Sequence, residues 1–109
     1  MTLYNVEYIR DCTEYNKIRV ELQKSYGSYF NYDRIVQHIF DKIKAAADGG
    51  KNKTSIKFGY GYCETDKAKE GARKLISKCI NILQHLLKNF GYESSYDHNS
   101  EGVYLNITW

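Results

Sequence analysis

Two long stretches of this chain repeat apolar residues every three or four positions, and two shorter ones alternate them with polar residues. In the first, Ile35, Ile39, Ile43 and Ala46 share one stripe with Val36 and Ala47 beside it, which predicts an amphipathic helix. Asn31 is its natural cap, and DGGKNK at residues 48–53 its stop. Lys42 and Lys44 lie toward its C-terminal end, where positive charge suits the helix dipole. The longer stretch predicts a helix from Thr65 or Asp66 to Phe90. Its apolar face is Ala68, Ala72, Leu75, Ile76, Cys79, Ile82, Leu83, Leu86 and Phe90, and Gly91 follows where a left-handed cap residue belongs. A third helix is predicted with Thr13 as cap, Tyr15, Ile18, Leu22 and Tyr26 on one side, and Gly27 as its end. Residues 2–12, TLYNVEYIRDC, follow neither period and fit an extended segment or a short helix.

Residues 54–62 read as a strand. YESSY and VYLNITW flank DHNSEG and predict an antiparallel hairpin whose loop exceeds a two-residue turn. In its second strand Val103, Leu105, Ile107 and Trp109 alternate with Tyr104, Asn106 and Thr108. The first set is expected to face the helices, with Trp109 docked. The order is therefore helix, helix, strand, helix, strand, strand. Three strands with helices on one face make a single two-layer α+β domain over residues 1–109, its sheet antiparallel or mixed.

Inside the first strand, SIKFGYGY at residues 55–62 interleaves glycines with aromatics. Residues two apart in a strand share a face, so Ile56, Phe58, Tyr60 and Tyr62 point one way and Lys57, Gly59 and Gly61 the other. A phosphate loop does not fit. No third glycine falls at G-x-G-x-x-G spacing, no G-K-[ST] occurs, and Glu64 and Asp66 would repel an anion at the helix mouth. The alternation resembles the aromatic strand of the RNA-recognition domain, but Phe58 stands where that motif needs glycine, and that domain does not open with two helices. The simplest reading buries Ile56, Phe58 and Tyr60. It leaves Lys57, Gly59 and Gly61 on an open face beside Tyr104, Asn106 and Thr108. Glycines there permit close approach, which makes these six residues a candidate protein-contact surface.

The formal charge is +3, but its distribution says more. Residues 1–40 are neutral, residues 41–90 carry +6 and residues 91–109 carry −3. On the long helix Lys67, Lys74, Lys78, Asn81 and His85 line one flank, with Lys69 and Arg73 nearby and Glu70 diluting the field. An ordinary solvated helix face accounts for such a flank. The sharper reading is a weak, non-sequence-specific nucleic-acid site at Lys67, Lys69, Arg73, Lys74 and Lys78, extended by Lys51, Lys53 and Lys57. Beyond residue 20 the arginines are Arg34 and Arg73 alone, so bidentate reading of bases is poorly supplied. Eleven tyrosines exceed what a small core needs. Some, Tyr26, Tyr29 and Tyr32 among them, are expected at the surface or in an interface, which keeps a homo-oligomer open.

Three cysteines with no C-x-x-C spacing indicate neither a disulfide framework nor a zinc site. Cys79 is expected in the core. Cys63 lies at a strand-to-helix junction, where Glu64 and Asp66 oppose a thiolate. His38 and His85 stand apart from each other, and His98 with Asp97 and Glu101 reads as a polar turn in preference to a metal or acid–base cluster. No cofactor is expected. No stretch approaches the roughly 18 apolar residues of a membrane helix, so a cytoplasmic, non-membrane setting is expected.

KAAADGG closing the second helix, LLKNFGY closing the long one and a last strand LNITW resemble, in layout, small α–α–β–α–β–β proteins encoded by bacteriophages of low-GC hosts. The likeness spans residues 31–109. Some small phage proteins bind and disable host machinery, defence nucleases included, as anti-CRISPR proteins do. The resemblance implies an accessory or inhibitor protein acting on a host protein in the host cytoplasm, and it carries over no functional residue. A non-enzymatic protein-interaction domain is the first expectation, weak nucleic-acid binding the second and an enzyme the third.

Overall fold

The computed structural model describes residues 5–27, 29–61 and 63–109. Its elements follow the expected order: α1 (Val6–Tyr26), α2 (Tyr32–Asp48), β1 (Lys53–Gly59), α3 (Asp66–Asn89), β2 (Glu93–His98) and β3 (Gly102–Thr108). The sheet order is β1-β3-β2 with both pairings antiparallel, which removes the mixed alternative. β1 and β2 therefore run the same way on either side of β3, joined across it by α3. The shortest dimension of the molecule is 18 Å, the thickness of a sheet and one helical layer.

Register builds the core. Ile56 pairs with Leu105 and Phe58 with Val103, and all four are buried against the helices. Ile35, Ile39 and Ile43 of α2 join them, as the period predicts. On α3 the buried face is wider than the expected stripe: Ile80 and Leu87 are fully covered as well. α3 packs against α1 on one side and against β2 and β3 on the other, so two adjacent stripes need apolar residues. Phe90 was expected on that face and is instead 65% exposed. The helix closes at Asn89, Gly91 turns the chain at φ 90°, and Tyr92 N–H donates to the Leu87 carbonyl at 3.0 Å.

The structure corrects four further expectations. Thr13 is not a cap: α1 begins at Val6, Asn5 Oδ1 accepts from Tyr8 N–H at 2.8 Å, and Thr13 Oγ1 donates back to the Ile9 carbonyl. Tyr32 is not at the surface. It is fully buried between Tyr8 and Tyr15, with ring centroids at 5.2 and 5.4 Å, and its hydroxyl has no hydrogen-bond partner among the described residues. Tyr26 and Tyr29 are half-buried, and the Tyr29 hydroxyl donates to the Gly59 carbonyl at 3.2 Å. β1 stops at Gly59, short of residue 62. Trp109 leaves β3: its N–H donates to the Asn52 carbonyl at 3.0 Å, but its ring is 39% exposed against Tyr92.

The segment after β1 explains its own glycines and aromatics. Tyr60 stays buried, and its hydroxyl donates toward the carbonyls of Asn99 at 2.9 Å and Gly102 at 3.2 Å. Arg73 Nε in turn donates to the Tyr60 oxygen at 3.3 Å, so one tyrosine ties the β2–β3 turn to α3. Gly61 has left the sheet, with φ 63°, and a Cβ there would overlap the Tyr26 carbonyl at the end of α1. Tyr62 and residues 2–4 lie outside the described residues.

Candidate functional site

Three surfaces hold chemistry of interest. The first is the sheet face turned away from the helices. Lys57 pairs in register with Tyr104, Ser55 with Asn106 and Lys53 with Thr108, and on the far side Asp97, Ser95 and Glu93 complete the same rows. Of the expected contact residues, Lys57, Tyr104, Asn106 and Thr108 share this face and Gly59 ends it; Gly61 does not belong to it. The face is polar throughout. Ser55 Oγ donates to Asn106 Oδ1 at 2.6 Å, and Lys57 Nζ lies 3.5 Å from Glu101.

The second surface is the flank of α3. Lys67, Lys74 and Lys78 are exposed along it, whereas Lys69 and Arg73 are half-buried. Arg73 is held against the Tyr60 ring, with 5.8 Å from guanidinium carbon to centroid, and Lys74 stands 4.0 Å from Glu70. His85 turns toward α1, with Nε2 3.3 Å from Glu7 and Nδ1 3.7 Å from Asp11. The five cations expected to act together thus divide into three exposed lysines, a half-buried Lys69 and an Arg73 held against Tyr60.

The third surface was not anticipated. The starts of α1 and α2 and the end of α3 enclose an open groove. Val36, Leu86 and Phe90 supply its apolar part, Glu7, Asp11 and Asp33 its carboxylates, and no lysine or arginine lines it among the described residues. Asn89 Nδ2 donates to Glu7 at 3.1 Å, and the Tyr8 hydroxyl donates to Asp33 at 2.6 Å, so the acids are held in place. From Phe90 a run of rings continues edge to face through Phe40 (5.6 Å), Tyr92 (6.0 Å) and Trp109 (6.2 Å). Phe90 and Trp109, at its two ends, are the exposed members.

Reactive chemistry is sparse. Burial pushes the Cys79 thiol up to about 12, burial and the nearby Asp33 raise that of Cys12, and burial raises that of Cys63 against the pull of Lys69. All three are therefore held as thiols at neutral pH. Asp97 and His98 are adjacent in β2 and project to opposite faces of the sheet, so the hairpin tip assembles no acid–base pair. The loop is only residues 99–101, and Asn99 Oδ1 closes it by accepting from Glu101 N–H at 2.8 Å and Gly102 N–H at 3.2 Å. Among the described residues no three His, Cys, Asp or Glu side chains are grouped to hold a metal, and no helix is long and apolar enough to cross a membrane. No protein family, curated protein or solved structure matches this chain.

Proposed function

We propose that this chain is a small, non-catalytic protein-interaction domain whose recognition site is the groove between α1, α2 and α3. The observation that carries the reading is the pairing of exposed Phe90 with a polar rim whose charged lining residues among those described, Glu7, Asp11 and Asp33, are all acidic, in a chain of net charge +3. Interface anchors are typically large aromatic or aliphatic groups entering a pocket, and charge complementarity around them selects the partner. A partner segment that fits here presents a large apolar side chain next to Lys or Arg. The cation meets Glu7, Asp11 or Asp33, and the apolar group lies on Phe90, with the aromatic run toward Trp109 available beyond it. The layout resemblance to small phage-encoded proteins suits a role as an accessory or inhibitor that occupies a host protein in this way.

The test compares captures from host lysate by the wild-type chain and by Phe90→Asp. Phe90 is exposed, so its replacement leaves the core intact. A partner retained by the wild type and lost by the variant supports the proposal; equal capture by both contradicts it. A second reading, weak nucleic-acid binding, is favoured by the three solvated lysines Lys67, Lys74 and Lys78. It requires retention on DNA that falls steeply with salt, as counterion release dictates, and that is lost when those lysines are replaced.

A further inference from the structure

The open sheet face is charged by strand, and the arrangement is complementary to itself. β1 contributes Lys53 and Lys57, and β2 contributes Glu93 and Asp97. The register places Lys57 and Asp97 in one row on either side of Tyr104, and Lys53 and Glu93 in another on either side of Thr108. Between them runs a neutral row, Ser55, Asn106 and Ser95.

We propose that this face pairs with the same face of a second copy, about a two-fold axis running along β3. Such a rotation keeps each residue at its level along the strands and exchanges the two edges. Lys57 then stands over Asp97 of the other copy and Lys53 over its Glu93, and each contact occurs twice, as an isologous interface requires. Tyr104, Asn106 and Thr108, which carry both donors and acceptors, meet their own counterparts on the axis. At the end of the face the row is Gly59 beside Gly102, which offers no side chain to hold the sheets apart. Aligned packing of two sheets about 10 Å apart is within reach of lysine and aspartate side chains. The exposed Lys57–Glu101 pair does not prevent the exchange, because solvated ion pairs are weakly held. From strand spacing and rise, the face measures about 14 by 23 Å. That places the association among small, reversible interfaces. This surface is separate from the groove, and pairing through it does not depend on what the groove binds.

The experiment is sedimentation velocity over a concentration series at low and high salt, with circular dichroism to verify folding. The expected result is a reversible dimer for the wild type that weakens as salt screens the charges. Lys57→Asp and Asp97→Lys, made singly, each set like charges against each other twice and should weaken the dimer at least tenfold. The double variant restores opposite charges and should dimerise again. An equimolar mixture of the two single variants should also dimerise, since each then meets its complement. A wild type that stays monomeric throughout overturns the proposal. So do single variants that dimerise like the wild type, or a double variant and a mixture that fail to recover association lost in the singles.

Discussion

Gly59 and Gly61 are each flanked by aromatic residues in the sequence and have opposite roles in the fold. At Gly61 a Cβ would run into the Tyr26 carbonyl, and the φ of 63° disfavours any L side chain. Gly59 faces open space. Gly61→Ala is therefore expected to cost on the order of 2–3 kcal/mol in urea unfolding, and Gly59→Ala less than about 1 kcal/mol. Tyr32 makes a second contrast. Its ring fills the gap between Tyr8 and Tyr15, yet its buried hydroxyl has no partner among the described residues. Tyr32→Phe keeps the ring and removes the unsatisfied group, so stability is expected to stay level or rise by up to about 1 kcal/mol, whereas Tyr32→Ala should lose about 3 kcal/mol or more. Alternation in the sequence correctly placed Ile56, Phe58 and Tyr60 inside. It did not show that the strand ends at Gly59, because the chain leaves the sheet where Gly61 approaches the Tyr26 carbonyl, a contact between residues more than thirty positions apart.

At the level of elements, legibility followed amphipathicity. α2 and α3 present continuous aliphatic stripes and were readable almost to their caps. α1 was not, because its inward side mixes Tyr8, Cys12, Tyr15 and the polar Asn16 with Leu22. Asn16 serves the fold directly, since its Oδ1 accepts from Tyr32 N–H at 3.1 Å and so holds the first turn of α2 against α1. Where α1 begins can be tested by its caps. Asn5→Ala should lower stability by about 1 kcal/mol. Thr13→Ala, which removes only a back-bond to Ile9 within the helix, should change it by less than about 0.5 kcal/mol. Thermal unfolding of the two variants distinguishes a helix starting at Val6 from one starting after Thr13. The same uncertainty concealed the groove. Glu7 and Asp11 are four apart and share a helix face only if the helix already runs through them.

For the molecule as a whole, the tyrosines and the buried thiol set an alkaline limit. Burial raises Cys79 from 9.0 to about 12 and Tyr29 from 10.0 to about 12, and it raises Tyr15 and Tyr32 as well. In that range the native chain keeps protons that the unfolded chain releases, so unfolding becomes easier as pH rises. The contribution of Cys79 and Tyr29 is complete below pH 9.0 and is lost progressively between there and about 12. The unfolding temperature is expected to fall over that interval, and a flat profile would mean that these groups are solvated. The overall architecture was legible because two helical periods and two alternating segments suffice for an α+β layer order. The groove was not, because it draws on the ends of three helices distant in sequence, with Phe90 reassigned from core to surface. The sheet face was half legible: alternation placed Lys57 opposite the core, but only the register sets it in a row with Asp97.

The groove as a recognition site is the central claim, and selection of binders from a displayed library of random peptides tests it most directly. The wild-type chain is expected to enrich peptides that place a large apolar residue beside Lys or Arg, with binding lost on Phe90→Asp and weakened at least tenfold on Asp33→Lys. Enriched peptides with no basic residue, or binding indifferent to both substitutions, would contradict it.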